Sequence, residues 1–186
     1  MRSSASTRSP PTDRRVRLLL LLGDEDNPRA CTGRRLVRRG DARAIDAGAP
    51  RRDRPVVLDP HAARPLSSAD LPTVRKGGLL AVDCSWNRLA AGGALPLPAL
   101  IGPRRRLPLL IAANPHHFGR VNELNTAEAL AAGVYVLGDP AHAATLLGGF
   151  RGGTGFLEVN RERLDRYRHA RDPDEVLAAE RALFGG

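Results

Sequence analysis

Strand-like and helix-like patterns occupy different parts of this chain. Short apolar runs fall within the first 113 residues, whereas roughly the last 70 residues carry the apolar spacing of amphipathic helices. The clearest run, Val16 to Leu22, is continuously apolar after its first residues, as expected of a central strand buried on both faces of a parallel sheet. The sequence therefore predicts an α/β domain with a parallel sheet at residues 16–106, followed by an all-helical C-terminal domain at residues 107–186.

Capping residues and turn residues place the other elements. Further strands are predicted at Pro55 to Leu58, Leu79 to Val82 and Leu109 to Ala113. Helices are predicted to begin near Thr32 and at Asn125 or Thr126, and to cover residues 69–76, Ala141 to Leu147, Phe156 to Arg168 and Asp172 to Phe184. Residues 41–54 are predicted to form a loop, and residues 1–15, which are rich in Ser, Arg and Pro, a disordered basic tail.

The charged residues favour a nucleic acid as the partner. Lys and Arg total 29 against 20 Asp and Glu, and only one of the 29 is a lysine. Guanidinium groups match phosphate oxygens and stack on bases, although a GC-rich gene would also enrich arginine. Two dense clusters are the predicted RNA contacts, with a solvated protein surface as the alternative: Arg34, Arg35, Arg38 and Arg39, and then Arg104, Arg105 and Arg106.

The cysteines and the apolar runs exclude several classes of protein. Cys31 and Cys84 are too few for a disulfide framework, and they lie in neither CxxC nor Cys/His spacing, so the sequence predicts no metal site. The run Leu18 to Leu22 is far shorter than a membrane span and lacks a signal-cleavage pattern. We therefore expect a cytoplasmic protein with no membrane association.

One segment, Ile111 to Gly138, delivers a polar loop onto the start of a helix. Asn125 or Thr126 can cap this helix, and Glu128 falls in its first turn. Backbone N–H groups point outward from the positive end of a helix, so that end suits a carboxylate, a phosphate or ribose hydroxyls. An ordinary capped helix that binds nothing is the alternative.

A second group of polar residues follows the predicted strand Leu79 to Val82. Asp83, Ser85 and Trp86 stand at its carboxyl end, where ligands bind in open α/β sheets. A carboxylate there can accept a proton from a substrate within hydrogen-bond reach. The alternative is that Asp83 only caps the next helix or holds the loop, and that Trp86 fills the core.

Six short segments carry a family resemblance. They are CTGRRLV (31–37), VLDPHAARPLSSAD (57–70), AVDCSWN (81–87), LPLLIAANPHHFGR (107–120), LNTAEALAAGVYVLG (124–138) and, more weakly, FLEVNRERLDRY (156–167). In order and spacing they resemble the small-subunit rRNA aminocarboxypropyltransferases of archaea and eukaryotes, which act late in ribosome biogenesis. The resemblance extends from about residue 16 to the C-terminus, and its specificity comes from the combination.

The resemblance implies a fold and an activity. The implied fold is SPOUT-like, a monomer whose parallel-sheet domain carries a deep trefoil knot, which no general topological rule would propose. The implied activity moves the 3-amino-3-carboxypropyl group of S-adenosylmethionine to N3 of a hypermodified uridine or pseudouridine. The implied partner is small-subunit rRNA or a pre-ribosomal subunit. Selectivity for this arm over the methyl group would come from the orientation in which the cofactor is held.

The resemblance also assigns site residues. For the acceptor side the candidate comes from chemistry: Asp83, as a proton acceptor or an orienting group for the base, because uracil N3–H is only weakly acidic. Thr32 would bind the ribose hydroxyls, and Asn125 stands where the family has a small hydroxyl residue. The full set of implied cofactor-binding residues is Thr32, Leu58, Pro60, Trp86, Leu107, Leu124, Asn125 and Thr126.

Two alternatives to this enzyme stay open at the level of sequence. A SPOUT-type RNA methyltransferase would hold the same cofactor in the opposite orientation, and a non-catalytic ribosome-assembly factor would keep only the scaffold and RNA binding. The presence of Thr32, Asp83 and Trp86 together favours the enzyme. His116 and His117 depart from the family pattern; they can bind phosphate or cover the cofactor site, and no acidic partner at motif spacing indicates a metal.

Overall fold

The structure of the chain is a computed structural model. It describes residues 15–23, 31–46, 54–83 and 102–185. The prediction for Trp86 and nearly all of the predicted basic tail, residues 1–14, lie outside the described residues. In the part of the chain that is described, no helix combines the length and apolar character needed to cross a membrane.

Five parallel strands form one sheet, in the order β2-β1-β4-β3-β5. They are β1 (Leu18–Leu22), β2 (Arg43–Ile45), β3 (Val56–Leu58), β4 (Leu79–Asp83) and β5 (Arg104–Arg105). β1 lies between two neighbours and four of its five residues are buried, which confirms the prediction of an interior parallel strand. The strands predicted to end at Leu58 and Val82 are also confirmed.

Two predictions about strands were wrong. The predicted loop at residues 41–54 contains β2, an edge strand of three residues that is too short to show an apolar alternation. The predicted strand Leu109 to Ala113 is not part of the sheet, whose last strand, β5, lies a few residues earlier. In this apolar segment only Ile111 pairs with another strand-like residue, through an isolated antiparallel bridge to Val121.

Side chains from distant helices and from Asn160 bind the backbone of this segment at Leu109 and Ile111. The Leu109 N–H donates to Glu180 Oε1 at 2.9 Å, and the Tyr167 hydroxyl donates to the Leu109 carbonyl at 3.0 Å. The Asn160 amide spans Ile111, because it accepts from the Ile111 N–H and donates to the Ile111 carbonyl, both at 2.8 Å. Buried backbone polar groups need partners, and here distant residues supply them.

Seven α-helices lie in the described residues. They are α1 (Thr32–Arg39), α2 (Leu71–Gly77, after a 3-10 turn at Ser68–Asp70), α3 (Thr126–Val136), α4 (Pro140–Leu147), α5 (Gly153–Val159), α6 (Arg161–His169) and α7 (Pro173–Phe184). The single helix predicted from Phe156 to Arg168 was wrong, since α5 and α6 are separated at Asn160. Asn160 is fully buried and its side chain is hydrogen-bonded to the backbone of Ile111. The break between the two helices therefore lies at the residue whose side chain binds this segment.

The sheet has an apolar cluster on each face. Leu18 and Leu20 point into the larger cluster. This cluster also contains side chains from every described helix, so it draws on both the predicted α/β domain, which ends at residue 106, and the predicted helical domain. Leu19 and Leu21 point into a smaller cluster on the other face. α3 lies directly on the sheet at Gly133, where an added Cβ would be 2.7 Å from Leu79 Cδ2. This close approach fixes α3 against β4 and brings its first turn to the end of that strand.

Candidate active site

Asp83, the last residue of β4, is held by two side chains from distant parts of the chain. It is 7% exposed. The Cys31 thiol donates to its Oδ2 at 2.6 Å, and the Thr126 hydroxyl donates to its Oδ1 at 2.5 Å. Each carboxylate oxygen therefore has one fixed partner and retains capacity to accept a second hydrogen bond.

Both partners come from the beginnings of helices. Cys31 is the N-cap of α1, and its sulfur also accepts from the Arg34 N–H at 3.2 Å, while Thr126 is the first residue of α3. Two helix N-termini, which carry partial positive charge, thus meet at a carboxylate. Gly33 allows the approach, because an added Cβ would lie 2.8 Å from Asp83 Oδ2.

The Cys31 thiol serves as a hydrogen-bond donor. Burial raises its pKa to about 11, and the hydrogen bond and charge of Asp83 act in the same direction. At neutral pH the sulfur therefore keeps its proton, and the S–H group donates a hydrogen bond to the Asp83 carboxylate.

A second buried network fixes the start of α3. Asn125 Oδ1 accepts from the Glu128 N–H, and Glu128 Oε2 accepts from the Asn125 N–H, both at 2.9 Å. This capping box confirms the predicted helix start, with Asn125 as the cap. Glu128 is 2% exposed and also accepts from Asn114 Nδ2 at 2.7 Å and from the Ala113 N–H at 3.0 Å. The loop before α3 and the helix start therefore form one hydrogen-bonded unit.

The other predicted cofactor residues lie around the same edge of the sheet, where the parallel strands end. Thr32, the first residue of α1, is half-buried, and within the described residues its hydroxyl forms no hydrogen bond. Leu58 ends β3 as a buried core residue, and Pro60 just beyond it is exposed. Leu107 is half-buried and follows β5, and Leu124 is buried before α3. Their common location is the edge where open α/β sheets bind ligands.

The second predicted RNA-binding cluster is committed to ion pairs. The guanidinium groups of Arg104, Arg105 and Arg106 each bind a buried carboxylate, at 3.1 Å for Asp59, 3.0 Å for Asp70 and 2.6 Å for Glu180, respectively. Arg106 is the most fully engaged, because two of its nitrogens contact the two oxygens of one carboxylate. These pairs join β5 to three other parts of the fold, and RNA contact at the three positions stays a prediction.

Half of the first cluster fixes α1 to the end of α4. Arg35 donates to the Gly149 carbonyl at 2.9 Å, and Arg39 donates to the Gly148 carbonyl at 2.5 Å. Both guanidinium carbons also lie over the ring of Phe150, at 4.4 Å and 5.3 Å from its centroid. These arginines satisfy carbonyls at a helix C-terminus, which is a structural role.

The remaining two arginines of α1 differ in their surroundings. Arg34 is half-buried and donates to the Gly23 carbonyl at 3.3 Å. Arg38 is exposed in the last turn of the helix, where a cation also suits the helix dipole. Arg38 is therefore the member of the two clusters best placed to reach a phosphate.

Sequence inspection missed several residues that build this site. Cys31 and Gly33 were recognised as part of a motif but not as neighbours of Asp83, and the three acidic partners of the second arginine cluster were not identified. The position of Cys31 directly before a helix start was the available signal for an N-cap. Nothing in the spacing could connect it to a carboxylate 52 residues later.

Comparison with known proteins gives one consistent family. The family model described as "Ribosome biogenesis protein, C-terminal" matches residues 56–184. The 18S rRNA aminocarboxypropyltransferase of Schizosaccharomyces pombe is 40% identical over 156 residues, covering 83% of this chain and 52% of that protein. The chain thus spans about half the length of this relative. The 16S rRNA aminocarboxypropyltransferase of Methanosarcina acetivorans is 38% identical over 170 residues, covering 91% of this chain and 95% of that protein.

A solved structure also matches the fold. It is that of the SAM-dependent rRNA:acp-transferase Tsr3 from Vulcanisaeta distributa, with a TM-score of 0.77 and 31% sequence identity. The match covers 92% of this chain and 99% of the other. The α/β architecture with its parallel sheet is therefore shared with that protein.

Proposed function

The chain belongs to the ribosome-biogenesis family whose relatives are named rRNA aminocarboxypropyltransferases, and on that basis we propose that it transfers the 3-amino-3-carboxypropyl group of S-adenosylmethionine to rRNA. The acceptor we propose is N3 of a modified uridine or pseudouridine in the small-subunit RNA. The observation that carries the proposal is Asp83, fixed by Cys31 and Thr126 at the carboxyl edge of the sheet.

The described residues fit S-adenosylmethionine by their chemistry. Thr32 offers a hydroxyl that has no hydrogen-bond partner among the described residues, which suits the ribose diol. Pro60 offers an exposed apolar surface at the end of β3, beside the buried Leu58. The start of α3, with Asn125 and Thr126, offers a positive helix end that suits the carboxylate of the arm. We propose that these residues, with Trp86, Leu107 and Leu124, hold the cofactor.

Asp83 is proposed to act on the acceptor base. Uracil N3–H is weakly acidic, so a carboxylate within hydrogen-bond reach can orient it and accept its proton as the new bond forms. When bound, S-adenosylmethionine supplies a carbon activated by its sulfonium; the N3–C bond replaces the C–S bond, and 5′-methylthioadenosine leaves. Cys31 and Thr126 keep Asp83 in one rotamer, so the acceptor oxygen occupies a fixed position.

The partner proposed is small-subunit rRNA, free or in a pre-ribosomal particle. The target nucleotide must leave its stack to reach the edge of the sheet. Arg38 is proposed to contact a flanking phosphate, since it is exposed on α1, the helix that begins beside Asp83. We further propose that the protein acts in the cytoplasm, without membrane association.

The finer features of the fold are also proposals. We infer a deep trefoil knot of SPOUT type in a monomer, with an α/β domain at residues 16–106 and a helical domain at residues 107–186. The hydrogen bonds that link Leu109 and Ile111 to α6, α7 and Asn160 support this inference, since they tie the segment to the C-terminal helices. Chain tracing in an experimental structure tests the knot, and sedimentation at several concentrations tests the monomer.

The activity is tested by incubating the protein with unmodified small-subunit rRNA or subunits and carboxyl-labelled S-adenosylmethionine. We expect label in the RNA together with 5′-methylthioadenosine, detected by mass spectrometry. Asp83→Ala should abolish transfer while retaining cofactor binding, and Arg38→Met should retain transfer at saturating RNA. S-adenosylhomocysteine instead would identify a methyltransferase. Cofactor and RNA binding without any product on RNA or on subunits would identify a binding factor.

A further inference from the structure

Phe118 is exposed to an unusual degree for an aromatic residue. Its exposed fraction is 77%, whereas the other exposed large apolar residues among those described, Val121 and Val159, reach 45%. Phe118 and Val121 lie in the same loop, between the apolar segment that ends at Ala113 and the start of α3. An exposed aromatic side chain on a connecting loop contributes little to the core, and it is available to bind a partner at the surface.

Hydrogen bonds hold the backbone on both sides of Phe118. Asn114, which is 2% exposed, accepts the His117 N–H through its side-chain oxygen at 3.0 Å. The Gly119 N–H donates to the Ala112 carbonyl at 2.9 Å, and Gly119 has a φ of +81°, which a side chain would disfavour. The backbone on both sides of Phe118 is thus tied down. An aromatic ring on a fixed backbone can bind a flat partner with a smaller loss of conformational entropy, because only its side-chain torsions remain to be ordered.

The loop around Phe118 carries basic residues. His116 is exposed two residues before Phe118, and Arg120 is exposed two residues after it while pairing with Glu123 at 3.1 Å. Glu123 also contacts His117, so the one acidic group of the loop already has two basic partners. Arg151 is exposed next to Gly152, whose added Cβ would lie 2.6 Å from the Ala113 carbonyl, so the loop that carries Arg151 packs against the residue just before Asn114.

The loop is connected to the proposed site through the start of α3. Asn114 donates to Glu128, and Glu128 fixes Asn125 in the capping box. The next residue, Thr126, holds Asp83. Phe118 therefore belongs to a loop that is hydrogen-bonded to the helix start that positions Asp83.

We propose that Phe118 is a stacking platform for an unpaired base of the RNA substrate, next to the nucleotide that enters the site. His116, Arg120 and Arg151 contact the phosphates on either side of that base. Aromatic rings with neighbouring cations are the usual means of holding single-stranded RNA, because every base has a face to stack. This inference rests on the proposed function, since it identifies how that same site receives its RNA.

The test measures binding of single-stranded fragments of small-subunit rRNA by fluorescence anisotropy at several salt concentrations. Phe118→Ala should weaken binding by about 5- to 150-fold, the loss typical of one stacked base. The slope of log affinity against log salt should not change, because no charge is removed. Phe118→Trp, which keeps an aromatic ring, should bind about as tightly as the wild type. Val159→Ala, at an exposed apolar residue of α5, should also leave the affinity unchanged.

Several outcomes would overturn the proposal. Affinity of Phe118→Ala within twofold of the wild type would exclude stacking, and so would an unchanged affinity of Phe118→Trp relative to Phe118→Ala. If Phe118→Ala instead lowered the sedimentation mass of the protein, the loop would be a contact between copies. Cofactor binding and transfer by the wild-type protein are measured in parallel, so a failure of the proposed function is seen separately from a failure at Phe118.

Discussion

Arg106 and Arg38 belong to the two arginine clusters that sequence alone assigns to RNA, yet they should respond in opposite ways to the same substitution. Arg106 binds Glu180 through two contacts of 2.6 Å and 2.8 Å, and the two side chains are 20% and 7% exposed. Arg38 is exposed. We therefore expect Arg106→Met to destabilise the fold and Arg38→Met to affect RNA binding.

The magnitude follows from the burial of Glu180. Removing one partner of a buried ion pair costs about 3–5 kcal/mol, and the partial exposure of Arg106 places this case near the lower end, at about 3 kcal/mol. Glu180 keeps its hydrogen bond from the Leu109 N–H, which limits the loss further. In a protein of this size about 3 kcal/mol lowers the melting temperature by roughly 6–12 °C.

Urea denaturation and the salt dependence of RNA binding provide the assay. Arg38→Met should leave the free energy of unfolding within about 0.5 kcal/mol of the wild type, as exposed substitutions do. It should reduce the salt slope by about 0.7, the value for one phosphate contact on a single strand, while Arg106→Met should not. Adding Glu180→Leu to Arg106→Met should recover part of the lost stability, because the unpaired carboxylate is then removed.

The reasoning would be refuted by one clear pattern. If Arg106→Met unfolded at the same urea concentration as the wild type and reduced the salt slope of RNA binding, Arg106 would be an RNA contact. Its contact with Glu180 would then contribute nothing measurable to stability. The same result would remove the ion pair as an explanation for the position of β5.

Two other predictions test the packing around the site. Asp83→Asn, in a Cys84→Ser background, should lower the pKa of the Cys31 thiol from about 11. Burial should still keep this pKa above its ordinary value, but the charge and hydrogen bond of Asp83, which also raise it, are lost or weakened. Thiolate absorbance measures the titration, and an unchanged titration would mean that the thiol does not contact Asp83. Gly133→Ala should destabilise the fold by about 1 kcal/mol net, because overpacking against Leu79 at 2.7 Å exceeds the gain in helix propensity. Gly155→Ala, where an added Cβ meets nothing within 4 Å, should stabilise it by up to about 1 kcal/mol, and equal effects at the two glycines would contradict the close approach of α3 to the sheet.

The sequence by itself determined the features that depend on neighbouring residues. The run Leu18–Leu22 is apolar on both faces, and this pattern alone predicts an interior parallel strand. Asn125 and Glu128 are three residues apart, and their capping box forms between residues of one turn. The family was likewise recognisable from short motifs in a fixed order, and the comparisons confirmed it.

Only the tertiary structure decided which distant residues meet. Leu109 to Ala113 has the composition of a strand, but Asn160, Tyr167 and Glu180 bind its backbone at Leu109 and Ile111, and no local pattern contains that information. Arginine looks the same in sequence whether it faces phosphate or a buried carboxylate, and the fold directs Arg106 to Glu180. Hydrogen bonds form wherever the folded chain places a donor beside an acceptor. Asp83 is 52 and 43 residues away in sequence from its two partners, Cys31 and Thr126, so only the packing of strands and helices brings them together.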